Sequence, residues 1–165
     1  MSTSINLPHR QGPRPKTTET NPHQQLDQHT NSAIIEGLTR RAFSLPDVEE
    51  HPSAISVPGA RALWLKPGVP VNNPIAIFIA REFAHLHPLP DGSMHMALPL
   101  DVAQEAIDKG WAEHHPMVQA GMIPGNYVMV YAPRTLAEQQ TVYRLLLESY
   151  KFAGGRFPSD VIGES

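Results

Sequence analysis

The sequence predicts an α+β domain in which an antiparallel sheet carries helices on one face, in the order α-β-β-β-α-β-α. Two observations predict it. Apolar residues recur at helical spacing in residues 33–44, 101–109 and 135–153, and short apolar runs of strand length, bounded by proline, glycine or asparagine, lie between them. With hairpin connections between successive strands, that alternation gives an antiparallel sheet with one face covered.

Residues 1–32 carry proline, glutamine, threonine and asparagine but almost no apolar side chains, so a disordered tail is expected there. His9, His23 and His29 fall inside it and are read as solvated. Ile34, Ile35, Leu38, Ala42 and Leu45 then form the apolar stripe of a first helix, which Pro46 ends. Strands are expected at residues 61–65 (RALWL), 75–87 and 93–98. A second helix starts at Asp101, whose D-x-x-Q spacing to Gln104 has the form of a capping arrangement, and stops at Gly110.

Pro124, Gly125 and Asn126 mark a turn into residues 127–131 (YVMVY), whose β-branched and aromatic content favours a strand. Thr135 with Glu138 opens the last helix, whose apolar set is Leu136, Val142, Leu145, Leu146 and Tyr150 and which ends at Gly154 and Gly155. The ordered domain is therefore expected at residues 33–155, with a flexible C-terminal tail at 156–165.

Composition removes several classes of function. At 165 residues the chain supports one domain with a real core. Thirteen Lys and Arg against sixteen Asp and Glu give a net charge of −3, which offers no electrostatic footprint for nucleic acid. With no cysteine, thiolate nucleophiles, redox pairs and thiolate metal sites are excluded. No apolar h-region opens the chain and no apolar stretch is long enough to cross a bilayer, so the expected compartment is the cytosol, with no membrane partner. No glycine-rich phosphate loop, G-x-S-x-G elbow or H-E-x-x-H helix occurs.

The chemistry is concentrated between His85 and His95. Side chains alternate along a strand, which places Phe83, His85 and His87 on one face. If the PLPDG turn of residues 88–92 closes a hairpin about Pro90, His85 lies opposite His95 and all three imidazoles share a surface. Asp91 reads most simply as a turn residue bonding its own backbone.

Three readings of the trio stay open: half-exposed residues without a task, a site for one divalent metal on His85, His87 and His95, or metal-free acid/base work on an acidic organic substrate. After the second helix, GWAEHHP offers Glu113 and His115 as further catalytic candidates, with His114 beside them. Arg81, Asp91, Trp111, Tyr131 and Arg134 are candidates for substrate binding.

These residues resemble a known family. REFAHLHPLPDGSMHMALP, GWAEHHP and YVMVYAPR, followed by LLLESYKFA, are similar to the luciferase-like domain found in bacteria and in fungal luciferases; LPDVEEHPSAISVPGARALWL resembles its N-terminal portion. The resemblance covers about residues 38 to 153. Carried over by motif, the matching positions are His85, His87, Asp91, His95, Glu113 and His115, while His114 falls at a variable one.

Fungal members oxidise a hydroxylated pyrone with molecular oxygen, releasing carbon dioxide and light, and carry a membrane-anchoring N-terminus. The polar N-terminus here departs from that pattern, so the resemblance implies a soluble bacterial-type member without implying light emission. A fainter similarity, in LPDVEE and the succession of elements, is to MmcQ/YjbR-like proteins with a CyaY-like fold.

The expected function is a small-molecule enzyme, an oxygenase or acid/base catalyst, needing no cofactor beyond oxygen or one divalent metal. The alternatives are a non-catalytic metal- or small-molecule-binding module and an interaction or DNA-associated domain of YjbR type.

Overall fold

The computed structural model describes residues 4–156. The expected C-terminal tail lies, beyond Arg156, outside the described residues. Six strands, β1 (Val48–Pro52), β2 (Arg61–Leu65), β3 (Glu82–Leu86), β4 (Met94–Ala97), β5 (Ala112–His114) and β6 (Tyr127–Val130), form one sheet among the described residues, ordered β1-β2-β3-β4-β6-β5. Every neighbouring pair is antiparallel. The α-helices are α1 (Ser32–Phe43), α2 (Leu100–Asp108), the single turn α3 (Pro116–Gln119) and α4 (Leu136–Ala153). None of the described helices is long and apolar enough to cross a membrane.

The α+β class and antiparallel sheet agree with the sequence reading. α1 is capped by Asn31, whose side chain accepts the Ile34 N–H, and turns Ile35, Leu38 and Ala42 inward against α4. α4 starts at the Thr135 cap, ends at Gly154 and packs on β3 and β4. Leu145, Leu146 and Tyr150 of α4 join Ala84, Leu86, Met94, Met96, Val128 and Val130 of the sheet in one buried cluster. That leaves the alternate residues of β3, β4 and β6 on the opposite face.

Several elements differ from the reading. β1 was absent from it, because VEEHP is charged and pairs at the edge of the sheet, where a strand needs no apolar periodicity. The long strand expected at 75–87 breaks into a 3-10 turn (Pro74–Ala76) and β3, with Ala80 in the left-handed region between them. GWAEHHP is not a loop: residues 112–114 pair with β6 as the other edge strand. At α2 the D-x-x-Q cap does not form; the helix begins at Leu100 after Pro99, with no side-chain cap, and Gln104 bonds Asp108 instead.

The N-terminal segment is the largest correction. Residues 4–31 lie along the domain instead of forming a solvated tail, although they contain no helix or strand. Their anchors are polar: Glu105 of α2 accepts the backbone N–H groups of Ile5 and Leu7, the Trp111 indole donates to Pro8 O, and Gln25 accepts the Ala132 N–H. Leu7 is buried in the core cluster. A count of apolar residues misses such docking, because hydrogen bonds with buried partners supply it.

Candidate functional site

Register places the site. His85 of β3 lies opposite His95 of β4, His95 opposite Met129 of β6, and Met129 opposite Glu113 of β5. These four residues form a row across the sheet on the face away from α4. The symmetric closure of the PLPDG turn therefore holds. Asp91 takes its turn role, accepting the Ser93 N–H, and also accepts the Ser93 hydroxyl.

Phe83 does not share the face of His85. The β2–β3 register passes from Leu63↔Ala84 to Trp64↔Glu82, so Phe83 is the extra residue of a bulge. Its ring turns into the core, 6.2 Å from the Tyr150 ring. The same bulge brings Glu82 to the histidine face, where its carboxylate accepts from His85 Nδ1 at 2.8 Å as well as from Ser53 Oγ and the Ala54 N–H. Glu82 is completely buried.

Over Met129, the gap in the row is bridged by His23 from the N-terminal segment. His23 Nδ1 is 2.9 Å from His95 Nε2, and His23 Nε2 is 2.8 Å from Glu113 Oε2. His95 Nδ1 in turn meets His85 Nε2 at 3.1 Å. A continuous chain results: Glu82, His85, His95, His23, Glu113. Glu113 also accepts from the Thr17 and Tyr131 hydroxyls.

Two histidines stand beside the chain, and their hydrogen bonds set their tautomers. Since the Ser93 hydroxyl proton goes to Asp91, Ser93 Oγ accepts from His87 Nδ1–H at 2.9 Å, so a neutral His87 has its lone pair on Nε2. His115 caps α3, its Nδ1 accepting the Met117 N–H, so a neutral His115 carries its proton on Nε2.

Burial and mutual crowding favour the neutral forms of His95, His85 and His115. His95 is held well below the usual imidazole range by burial and by His85, His87, His23 and His115 around it. Burial also lowers His85, against the opposing bond to Glu82, and brings His115 down to about 4. Glu113 remains a carboxylate: burial pushes it up, but the bonds from His23, Thr17 and Tyr131 outweigh that. Asp91 is lowered in the same manner by His87 and Ser93 against its own burial. Burial pushes Tyr131 up to about 12 and keeps it a hydroxyl donor.

A pocket of about 630 Å³ opens on this cluster. That volume suits a small organic ligand. His23, His85, His87, His95 and His115 form its polar side; Ile55, Val57, Phe78, Met117, Ile123 and Tyr127 form the apolar one. His85, His87 and His95 make one group of nitrogens within 4.8 Å of each other, and His23, His95 and His115 make a second.

Of the residues singled out from sequence, His85, His87, His95 and His115 line the pocket, and Glu113 closes the chain behind it. Asp91 supports His87 from beneath. The remaining substrate-binding candidates do not line it. Arg81 donates to the backbone carbonyls of Leu65, Lys66 and Val69; Arg134 pairs with Glu138 at the start of α4; Trp111 is buried against the N-terminal segment; and the Tyr131 hydroxyl bonds Glu113 and Arg14 while Arg10 lies over its ring. His114 lies on the opposite side of β5 from Glu113, against Gly125. His23 and the apolar wall were missed. A lone histidine in a polar stretch carries no local signal of its burial, and pocket walls from four separate segments have no shared motif.

Comparison with known proteins agrees with the resemblance. Residues 80–149 match the Luciferase domain family. Proteins named "Luciferase" from Armillaria ostoyae and Armillaria gallica are each 30% identical over 161 aligned residues, covering 87% of this chain and 59% of theirs. The "Luciferase" of Neonothopanus nambi is 30% identical over 162 residues, with the same coverage. The chain thus spans less than two thirds of the length of these relatives. No solved structure matches significantly.

Proposed function

We propose that this chain, similar to the Luciferase domain family over residues 80–149, is an enzyme of that family acting on a small, acidic, oxygenated organic molecule held against the histidine cluster. One observation carries this reading: His87, with Nδ1 bonded to Ser93, and His115, with Nδ1 accepting the Met117 N–H, line the same pocket, so as neutral rings one presents an acceptor nitrogen and the other an N–H donor. A substrate with an enolic hydroxyl beside a second oxygen fits both.

The hydroxyl proton passes to His87 Nε2 while His115 donates to the neighbouring oxygen. Asp91, within 3.4 Å of His87 Nδ1, stabilises the imidazolium that forms. The resulting anion is electron-rich at carbon. It forms a carbon–oxygen bond with dioxygen, which takes up two electrons to become a peroxide, and the imidazolium returns its proton to that peroxide. The product is the substrate plus one O₂. The histidines motivate the proton transfer, and the luciferase names of the relatives motivate the oxygen. The apolar wall of Phe78, Ile123 and Met117 supports the reaction by limiting water around the anion.

The test is oxygen uptake with a panel of cyclic enols, comparing the unmodified chain with His87→Ala and His115→Ala. Turnover is expected to fall by about 10²–10⁴-fold in His87→Ala, the range for loss of a general base. Equal oxygen uptake by all three proteins would remove the proposal.

A further inference from the structure

We propose that the site binds one divalent first-row transition-metal ion through His85 Nε2, His87 Nε2 and His95 Nδ1, with the remaining coordination position facing the pocket. The chain from Glu82 to Glu113 contains four links, Glu82–His85, His85–His95, His95–His23 and His23–Glu113, and three imidazoles. A neutral imidazole has one N–H. With all three rings neutral, their three protons do not fill four links. Both carboxylates accept, so His85 donates outward to Glu82 and His23 donates outward to Glu113. His95 then has one proton to offer to two unprotonated neighbours. One nitrogen–nitrogen contact, at 2.9 or 3.1 Å, is left as lone pair against lone pair, an arrangement that a cation stabilises.

The hydrogen bonds around the rings decide which contact it is. An ion between His23 and His95 would take His115 as its third ligand, but His115 Nδ1 is occupied by the Met117 N–H and its Nε2 carries the proton. On the other side, the Ser93 contact occupies only Nδ1 of His87 and leaves Nε2 for a ligand role, so its group is complete. All three rings of that group are buried. Each also donates its other nitrogen as metal-bound histidines do: His85 to Glu82, His87 to Ser93 with Asp91 behind it, and His95 to His23. The 3.1 Å between His85 Nε2 and His95 Nδ1 is close to the ~3.3 Å edge of a tetrahedral site with zinc–nitrogen bonds of ~2.0–2.1 Å. Three imidazoles without thiolate suit zinc, iron, copper or nickel.

The ion deepens the proposed function and rests on it only for chemistry. With the ion bound, His87 Nε2 is a ligand instead of the proton acceptor; the ion makes the enolic hydroxyl acidic enough to release its proton to water in the pocket, and His115 keeps its donor role.

The test is elemental analysis of the full chain purified without a histidine tag, followed by chelator treatment and titration with cobalt(II) or zinc(II) alone. One ion per chain is expected, with cobalt absorption in the visible. X-ray absorption of the zinc-loaded, unmodified chain should show three nitrogen neighbours at ~2.0–2.1 Å, and this reading needs no variant to fold. His87→Ala and His95→Ala should lose the ion, His115→Ala should keep it, and His23→Ala should bind it roughly 10–100-fold more weakly. Substoichiometric metal, or binding indifferent to His87 and His95, would overturn the site. An ion bound without turnover on any substrate leaves the site standing and removes the enzyme; turnover by a chain that binds no ion here does the reverse.

Discussion

His23 Nε2 donates to Glu113 Oε2 across 2.8 Å, and that bond ties a segment without helix or strand to the histidine face of the sheet. His23 is buried, and its other nitrogen reaches His95. Residues 4–31 therefore belong to the site as well as to its covering.

Replacing His23 with alanine leaves Glu113 and His95 each short of one partner in a region shielded from water. Unsatisfied buried groups of this kind cost about 1–3 kcal/mol. Urea unfolding of His23→Ala should show that loss, together with reduced turnover. An unchanged midpoint would mean that the segment does not dock in solution.

Docking of the segment should also depend on pH through Glu105. Burial alone would raise this carboxylate, but the N–H groups of Leu7 and Ile5, then Lys109 and Ser4, bring it from 4.5 to about 2. Because the folded value lies below the unfolded one, the unfolded chain binds the proton more readily. The stabilisation is present above pH 4.5 and disappears as pH falls towards 2. Limited proteolysis of residues 8–30 should accelerate across that window, and Glu105→Gln should be cut rapidly at neutral pH. A flat cleavage rate in the native chain would show that Glu105 does not hold the segment.

The bulge at Phe83 makes a prediction for the core. A completely buried ring packed near Tyr150 should cost about 3–5 kcal/mol when truncated to alanine. Were Phe83 on the histidine face, Phe83→Ala would instead affect turnover with little loss of stability. Chemical denaturation beside oxygen uptake separates the two.

Met117 lines the pocket without contributing a side-chain hydrogen bond to the histidine chain. Met117→Trp should fill part of the 630 Å³ and lower kcat/KM while leaving the unfolding midpoint within about 0.5 kcal/mol, as for surface positions. Full activity would place the substrate elsewhere.

Much of the architecture was legible in local sequence. α1 and α4 are amphipathic and capped by Asn31 and Thr135, and the PLPDG turn carries the alternation of β3 into β4, so His85 opposite His95 follows from hairpin geometry. β1 and β5 were hidden because edge strands pair through backbone groups, which leave no mark on side-chain pattern.

The site divides along the same line. The trio of His85, His87 and His95 is set by period-two alternation and a short turn, interactions among residues close in sequence, and so it was within reach of the chain alone. Glu82 joined them only because a bulge reversed the parity of β3, and His23 only because its segment crosses the sheet to a partner 72 residues away. Such long-range pairings depend on which buried polar groups need a partner after packing. No stretch of sequence holds that information, since both members of the pair must first be brought together by the fold.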